Sequence, residues 1–366
     1  MDSKQKLIML PGPTNVSDRV MSAMLRPIIN HRSDSFRELN KDLLAKVRRL
    51  FQTSGEVVVL SSSGTGGVEA AVWNIIRPGD VAIVPTFGEF SGRLAETVEV
   101  AGGKAIRVSA EPGEAPSLEQ LKEAMDKAKN FRALFLVHNE TSTGVNVPFV
   151  QEASKAARDH GAFAIVDAIS SLGGYAIPVD EWGVDMCITG SQKCIAAPPG
   201  LALLSVSEKV VKFLHESPAR TRYFEILRYL EYGAKGETPF TPALPLYYAL
   251  DEALKELLEE GLAQRVQRHD KMASLLYSGL AGLGLKPVAD EKFRSKTVIA
   301  SYYPPGIDDA KFRRALSQDK GVVIAGGFGP FSGKVCRVGC MGQINPWFVE
   351  RTLKAMGETL SAQRTA

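Results

Sequence analysis

The sequence predicts an α/β domain with a mainly parallel sheet, followed by a smaller α+β domain. Short runs of β-branched and other apolar residues alternate with longer amphipathic helical patterns in the N-terminal part of the chain. Because continuous apolar strands suit a sheet that is covered on both faces, this alternation favours parallel strands joined by helices. The length of 366 residues leaves room for a second domain, since one domain usually takes ~150 residues.

The first strong element is an amphipathic helix over residues 33–52, where apolar residues recur at helical spacing and Ser33 or Asp34 can serve as the N-cap. Six apolar runs follow that we predict to be strands: residues 57–60, 81–84, 133–137, 163–166, 186–189 and 201–206. Ligands of open α/β sheets bind at the carboxyl ends of the strands, so we expect the functional side chains to gather there.

The pattern changes at the Pro-rich segment 238–245, which leads into long helical patterns over residues 246–283. Beyond it we predict a strand, a helix, two strands and a last helix: residues 297–303, 308–318, 322–324, 335–338 and 346–360. We therefore expect an N-terminal arm over residues 1–14, a large domain over 15–262 and a small domain over 263–366.

Composition points to small-molecule chemistry. The 44 Lys and Arg residues nearly balance the 41 Asp and Glu residues, and no basic block occurs, which excludes the footprint of a nucleic-acid or membrane-surface binder. The four cysteines lack metal-ligand spacing, so we expect reduced thiols and no metal site. No apolar run approaches the ~20 residues that span a bilayer, and the first residues lack a signal-peptide core. We expect a cytoplasmic protein.

The first candidate site is the segment Ser61 to Gly67, which follows a predicted strand and opens a helix. The backbone N–H groups at such a helix start, together with small residues that allow close approach, suit a phosphate. The segment is neither a Walker A loop nor a complete dinucleotide fingerprint, and a plain Gly/Ser turn between strand and helix explains it equally well.

Two further candidates follow later strands. Asp167 ends the apolar strand 163–166 and faces the ligand edge of the sheet, or it caps the next segment. Lys193 follows the strand 186–189 on a turn of small residues, where a lysine can acquire a low pKa and become a nucleophile, although most lysines are simply solvated. A phosphate site, an Asp and a Lys at successive strand ends are together what pyridoxal phosphate requires.

The chain resembles the class V aminotransferases of fold type I. The motifs that carry the resemblance occur in family order: Ser63-Gly64-Thr65, His138 to Gly144, Asp167 to Gly174, and Gly190 to Lys193 with Ala197 to Gly200. Within that class the chain looks most similar to the alanine–glyoxylate and serine–pyruvate aminotransferases, in particular to archaeal-type members of broad specificity. The resemblance implies a large domain with a mainly parallel, seven-stranded type of sheet and a smaller C-terminal α+β domain.

The resemblance also implies residue roles around pyridoxal phosphate. Lys193 would form the Schiff base and act as general base and acid, and Asp167 would keep the pyridine nitrogen protonated. Phe90 and Ile169 would press on opposite faces of the ring, and Thr141 would contact its phenolic oxygen. Six residues would hold the phosphate, the last two of them reaching it from a partner subunit: Ser63, Gly64, Thr65 and Gln192, with Thr238 and Thr241. This sharing implies a homodimer.

The substrate side of the site follows from the same resemblance. Arg337 would grip the substrate α-carboxylate, because a guanidinium fork binds a carboxylate through two parallel hydrogen bonds. His31 and Arg32 match a segment that approaches the active site, and Arg32 or an arginine of the partner chain is a candidate second cation. Alternatively, Arg337 would pair with a surface acid and have no part in substrate binding.

The function that we expect is a ping-pong aminotransferase. It would take the amino group from alanine or serine, with aspartate as a further candidate, and give it to glyoxylate, pyruvate or 2-oxoglutarate. One alternative is a lyase of the cysteine desulfurase type, which shares the fold. Such enzymes carry histidines at the two positions where Gln192 and Phe90 stand here, and a cysteine on a mobile loop. A second alternative is a binding protein without catalysis, against which the presence of both Lys193 and Asp167 argues.

Overall fold

The structure, a computed structural model, describes residues 6–364. Residues 1–5 of the predicted arm and residues 365–366 of the predicted small domain lie outside the described residues. The strands are, in chain order, β1 (Leu7–Ile8), β2 (Glu56–Leu60), β3 (Val81–Thr86), β4 (Lys104–Ser109), β5 (Ala133–Val137), β6 (Asn139–Glu140), β7 (Val145–Asn146), β8 (Phe163–Asp167), β9 (Met186–Gly190), β10 (Ala202–Val206), β11 (Lys286–Pro287), β12 (Val298–Tyr302), β13 (Val322–Val323), β14 (Ala325–Gly326) and β15 (Val335–Gly339).

The helices surround these strands. In chain order they are α1 (Asp18–Ala23), α2 (Asp34–Phe51), α3 (Gly64–Ile75), α4 (Glu89–Val100), α5 (Leu118–Ala128), α6 (Val150–Asp159), α7 (Glu208–Glu216), α8 (Ile226–Gly233), α9 (Leu244–Glu260), α10 (Leu262–Gly282), α11 (Asp309–Asp319) and α12 (Pro346–Arg364). Among the described residues, none of these helices is both apolar enough and long enough to cross a bilayer.

A seven-stranded sheet forms the centre of the molecule, in the order β2-β10-β9-β8-β5-β3-β4. The five strands β4, β3, β5, β8 and β9 run parallel to one another, whereas β10 is antiparallel to both β9 and β2. Every residue of β5, β8 and β9 is buried, because helices such as α3 and α6 pack against the sheet. The predicted mainly parallel sheet is confirmed, and all six predicted strands of this region are present.

The strand β4 was not predicted, and its position explains why. It lies at the edge of the sheet and pairs with β3 alone, so none of its six residues is fully buried. Its sequence mixes Lys104, Arg107 and Ser109 with short apolar side chains. Charged residues are typical of edge strands, since they discourage pairing with another chain, and they erase the continuous apolar run by which the central strands are recognised.

The helix ends follow from local capping. Ser33, rather than Asp34, is the N-cap of α2, and its side chain accepts a hydrogen bond from the Phe36 amide. The helical pattern over residues 246–283 consists of two helices, α9 and α10. They are separated at Gly261, whose φ of 87° is a left-handed conformation that only glycine adopts easily.

The C-terminal part of the chain builds its own antiparallel sheet, in the order β11-β12-β15-β14. A second apolar core lies here, between this sheet and residues of α10, α11 and α12 such as Leu276, Phe312 and Met356. Residues of α9 such as Leu250 belong to the first core. These two cores support a division between α9 and α10, and the boundary at residue 262 remains our proposal.

The N-terminal segment joins the two parts of the molecule. The strand β1 pairs in parallel with β13, and the Gly339 amide at the end of β15 donates to the Met9 carbonyl over 2.8 Å. Two residues after Met9, the Pro11 carbonyl accepts a hydrogen bond from Lys193, on the turn that follows β9 at the carboxyl edge of the large sheet. The predicted N-terminal arm therefore contacts both sheets.

Candidate active site

A cavity of about 130 Å³ lies at the carboxyl edge of the large sheet. The segments that follow β2, β3, β5, β8 and β9 converge on it. Its lining comprises Ser63, Gly64, Thr65, Phe90, Val137, Asn139, Thr141, Asp167, Ile169, Ser170, Gln192 and Lys193. Nine of the predicted site residues are therefore brought together from five different segments of the chain: Ser63, Gly64, Thr65, Phe90, Thr141, Asp167, Ile169, Gln192 and Lys193.

One end of the cavity is built to receive an anion. Gly64 is the first residue of α3, and Ser63 is its N-cap, with a hydroxyl that accepts from the Gly66 amide over 3.4 Å. The first amides of a helix have no partner within the helix, and the helix dipole makes this end positive. A Cβ atom at Gly64 would lie 2.9 Å from Cδ1 of Ile169, so a larger residue at this position would require the Ile169 side chain to shift.

The carboxyl group of Asp167 lies inside the cavity at the end of β8, with the residue 9% exposed. Its Oδ1 atom accepts a hydrogen bond from the Ile169 amide over 2.9 Å, so the residue both caps the following segment and lines the site. Burial raises the pKa of Asp167 to about 7; Glu140 adds to the increase, while the Ile169 amide and Lys193 oppose it. A cationic group in the cavity would stabilise the ionised carboxylate.

The amine of Lys193 lies on the turn after β9 and donates to the Pro11 carbonyl. Burial lowers its pKa to about 8, an effect that Cys194 and Asp167 oppose and Arg337 reinforces. The preceding segment packs closely against this lysine, since a Cβ atom at Gly12 would lie 2.7 Å from Nζ. A substantial fraction of this amine is therefore neutral near pH 7 to 8, as a nucleophile or a base requires.

The position of Phe90 depends on a buried carboxylate that the sequence analysis did not single out. Glu140 is 0% exposed and accepts hydrogen bonds from the amides of Phe90, over 3.3 Å, and Ser91, over 2.9 Å. It also accepts from the Ser142 hydroxyl over 2.7 Å. Glu140 thus fixes the first turn of α4 to the segment that carries Thr141. Its place within the motif His138 to Gly144 was the available signal.

Arg337, in the middle of β15, does not line the cavity but lies beside it. Its Nη1 atom donates to the Thr141 carbonyl over 3.0 Å, and its Nε atom donates to the Gly326 carbonyl over 2.7 Å. Burial lowers the pKa of Arg337 to about 10, partly opposed by Glu140, so the guanidinium remains charged at neutral pH. These two bonds leave further N–H groups for a substrate carboxylate.

The structure does not bring Thr238 and Thr241 to the cavity of their own chain. The Thr238 hydroxyl donates to the Phe240 carbonyl over 2.8 Å, and Thr241 is exposed. Arg32 donates to Glu237 over 3.0 Å and to the Thr238 carbonyl over 2.7 Å. A contact of these threonines with a phosphate in a partner subunit stays a prediction.

Three lining residues were missed by the sequence analysis: Val137, Asn139 and Ser170. The Asn139 amide donates to the Ser170 hydroxyl over 2.8 Å, and the same hydroxyl donates back to the Asn139 carbonyl over 2.8 Å. The Oδ1 atom of Asn139 is buried with no hydrogen-bond partner among residues 6–364. It is therefore an acceptor available to a ligand. Both polar residues stand within motifs that the sequence analysis quoted.

The cysteines take no part in this site. All four lie within the described residues, and each is buried and unpaired. The thiol of Cys336 points to the Ser301 carbonyl over 3.6 Å, and burial raises its pKa to about 12. A desulfurase needs an accessible thiolate that reaches the substrate, and these four thiols do not provide one.

A larger cleft, of about 930 Å³, opens at the opposite edge of the sheet. It is lined by residues near the amino ends of β8 and β9, among them Phe163 and Asp185. The buried acid of this cleft is already bonded: Asp185 accepts from the Ala164 amide over 3.0 Å and from the Ser207 hydroxyl over 2.9 Å. Chemistry is better supported at the smaller cavity, where groups of shifted pKa converge.

The buried carboxyl of Asp167 should make the stability of the ligand-free protein depend on pH. Folding raises its pKa from an ordinary value near 4 to about 7, so the folded state holds a proton that the unfolded chain releases. The resulting stability is present below pH 4 and is lost as the pH rises to 7. We expect Asp167→Asn to be the more stable protein at pH 8, by roughly 3 kcal/mol relative to the difference at pH 4.

Urea unfolding of the ligand-free proteins at pH 4, 6 and 8 measures this effect. The matched control is Asp290→Asn, at an exposed carboxyl, whose curve should run parallel to that of the wild type. Parallel curves for Asp167→Asn and the wild type would contradict the raised pKa.

Comparisons with known proteins agree with this geometry. The family model of the class-V aminotransferases matches residues 16–338. An uncharacterised aminotransferase of Methanocaldococcus jannaschii is 41% identical over 344 residues, which cover 93% of this chain and 89% of that protein. Serine–glyoxylate aminotransferase of Methylorubrum extorquens is 36% identical, over 92% of this chain and 87% of that protein. The crystal structure of alanine–glyoxylate aminotransferase from a Nostoc species superposes with a TM-score of 0.93 at 31% identity, covering 98% of this chain and 96% of that one.

Proposed function

Since this chain belongs to the class V aminotransferases and is itself an aminotransferase, we propose that it uses pyridoxal phosphate to move the amino group of alanine or serine to a small 2-oxo acid. The observation that carries this proposal is the convergence, in one cavity, of a helix N-terminus, the buried carboxyl of Asp167 and the amine of Lys193. The family membership and the fold type I architecture agree with what the sequence resemblance implied.

The residues of the cavity fit pyridoxal phosphate. The start of α3 offers backbone amides for the phosphate. Gly64 has no side chain, and a Cβ atom there would occupy the space next to Ile169. Burial raises the pKa of the Asp167 carboxyl to about 7, because the ionised form has lost its solvation. A protonated pyridine nitrogen beside this carboxyl would stabilise the ionised form. Phe90 and Ile169 supply apolar surfaces for the ring.

When bound, pyridoxal phosphate accepts the amino group of one substrate, passes it to another, and draws the electrons of the broken Cα–H bond into its ring. The protein residues position the reactants and move protons. Lys193 provides an amine within the cavity, of which a substantial fraction is neutral near pH 8, and the neutral Nζ can take the proton from the substrate Cα and return it. Asp167 would pair with the pyridine nitrogen and favour its protonated form, which would keep the ring electron-poor.

Arg337 determines how the substrate enters. Arg337 is 7% exposed, and its guanidinium is held by the Thr141 and Gly326 carbonyls, so its remaining N–H groups have fixed directions. A substrate carboxylate bound there would be oriented relative to Lys193, and such orientation is a large part of what enzymes contribute to rate. The same clamp serves the amino acid and the 2-oxo acid in turn, which suits a ping-pong mechanism.

The substrate class rests on the cavity and on the relatives. A relative named serine–glyoxylate aminotransferase and a structural neighbour named alanine–glyoxylate aminotransferase both act on small substrates, as their names state. We therefore favour alanine and serine as donors and glyoxylate as acceptor, with pyruvate and 2-oxoglutarate as further acceptors and aspartate as a further donor.

A half-reaction screen tests the proposal. Single amino acids are added to the purified, cofactor-loaded protein without any 2-oxo acid, and the absorbance of the bound cofactor is followed. We expect conversion to the amine form with alanine or serine, and return to the starting spectrum when glyoxylate is added. A spectrum unchanged by every small amino acid, with release of sulfide from cysteine, would instead indicate a desulfurase.

We also propose a homodimer with shared active sites in the cytoplasm. Three apolar side chains in and after α1 support a contact with a second chain, since they are well exposed in one chain: Met21 at 48%, Leu25 at 85% and Ile28 at 67%. The exposed Thr241 is available to a partner as well. The mass of the loaded protein in solution, measured by light scattering, tests the dimer.

A further inference from the structure

An aromatic side chain, Phe328, lies between two residues of the site. Its ring centroid is 4.4 Å from the Cζ atom of Arg337, a cation–π contact. On another side it meets the ring of Phe90 edge to face, with the centroids 5.9 Å apart. Phe328 therefore spans the gap between the carboxylate-binding guanidinium and the ring over the cofactor cavity.

The backbone holds Phe328 in this place. The loop that carries it begins at Gly326, whose carbonyl accepts the hydrogen bond from Nε of Arg337 over 2.7 Å. The Phe331 amide, three residues after Phe328, donates to the Phe328 carbonyl over 2.9 Å, which closes a short turn. Phe328 is half-buried, and its ring is restrained by its contacts with Arg337 and Phe90.

The contact with Phe328 leaves Arg337 free to bind a substrate. An aromatic ring attracts the guanidinium through its π electrons and takes up no N–H group in a strong hydrogen bond. A carboxylate binds the remaining N–H groups in the plane of the guanidinium. A substrate held by its carboxylate then lies against the Phe328 ring, and its side chain has only the space that Phe90 and Phe328 leave.

We propose that Phe328 is a specificity-determining residue that restricts this site to substrates with small side chains. The inference rests on the proposed function, because it takes Arg337 as the anchor of the substrate carboxylate. A restrained ring at this position excludes larger substrates because their side chains would overlap it. One methylene group in an apolar pocket changes the discrimination between two substrates by about 10- to 200-fold.

The test measures binding as well as turnover. Straight-chain monocarboxylates from acetate to valerate are titrated into the loaded enzyme by calorimetry, and kcat/KM is measured for alanine and for 2-aminopentanoate. In the wild type we expect valerate to bind at least about tenfold more weakly than propionate. In Phe328→Ala this ratio should fall to about threefold or less, and the kcat/KM ratio of 2-aminopentanoate to alanine should rise at least about tenfold.

Ratios within one enzyme cancel any general weakening from the lost cation–π contact. The matched control is Phe331→Ala in the same loop, whose ring packs on Tyr302 at 6.2 Å and should leave both ratios at the wild-type value. Phe328→Leu gives the same comparison should the alanine variant fail to fold, and Phe328→Trp should tighten the discrimination.

The outcomes separate the two proposals. Wild-type ratios in the Phe328 variants, with carboxylates still binding, would overturn the role of Phe328 and leave the proposed function standing. A wild-type enzyme that binds none of the carboxylates would overturn the role of Phe328, because Arg337 would then not be the anchor. The proposed function would be overturned only if the half-reaction screen also failed with every small amino acid.

Discussion

Replacing Lys193 with alanine should lower the turnover number roughly 10⁴-fold. The Nζ atom of this residue is the amine that lies in the cavity, close to the Pro11 carbonyl, and its pKa is lowered to about 8. A positioned general base contributes about 10² to 10⁴ in rate, and removal of the amine also removes the nucleophile that holds the cofactor. Steady-state transamination of alanine, together with the absorbance of the bound cofactor, measures both losses.

The chain offers a matched control in Lys209. Burial lowers the pKa of that lysine as well, but its amine donates to the Ala162 carbonyl over 2.6 Å and lies over the Phe163 ring, at the amino edge of the sheet. Lys209→Ala should therefore retain wild-type turnover. Normal transamination by Lys193→Ala would show that the mechanism is wrong.

Replacing Arg337 with alanine should reduce kcat/KM for the amino acid by about 10²- to 10³-fold, mainly through KM. Truncating one partner of a buried, hydrogen-bonded charge pair costs about 2–5 kcal/mol. The loss should be similar for the amino acid and for the 2-oxo acid, because both present a carboxylate. Kinetics with each substrate varied in turn measure the effect.

Arg337→Lys distinguishes charge from geometry. A lysine restores a positive charge but not the planar fork, so we expect it to recover only part of the lost kcat/KM. The control is Arg107→Ala on the edge strand β4, whose guanidinium bonds Glu99 at the surface. An unchanged KM in Arg337→Ala would exclude this residue as the carboxylate anchor. Circular dichroism checks that the variant folds, since the Thr141 and Gly326 carbonyls lose their donors.

The central fold was predictable because burial leaves a strong signal in the sequence. The strand β5 reads Ala-Leu-Phe-Leu-Val, and all its residues are buried between layers. The strand β4 left no such signal because it lies at the edge and carries Lys104 and Arg107. The central strands of the large sheet could therefore be predicted from the sequence, whereas its edge strand β4 could not.

The residues of the candidate site that come at the ends of strands could be predicted from the sequence. Asp167 and Lys193 stand directly after apolar strands, so their convergence follows from the topology of the sheet. Glu140 and Phe328 were not predictable in this way. Glu140 acts through amides of residues about 50 positions earlier, and Phe328 meets Phe90 across most of the chain. Contacts of this kind depend on the packed backbone and leave no local pattern in the sequence.

The N-terminal segment gives the site a fixed internal spacing. Gly339, two residues beyond Arg337, donates to the Met9 carbonyl, and Pro11, two residues beyond Met9, accepts from Lys193. Arg337 lies in the small sheet and Lys193 on the turn that follows a strand of the large sheet, yet three residues, Met9 to Pro11, connect the two regions through backbone groups. Side chains on this bridge can change without altering the span, whereas insertion or deletion of a single residue between Met9 and Pro11 would change it. The length of this segment therefore fixes how far apart the Gly339 amide and the Lys193 amine are held.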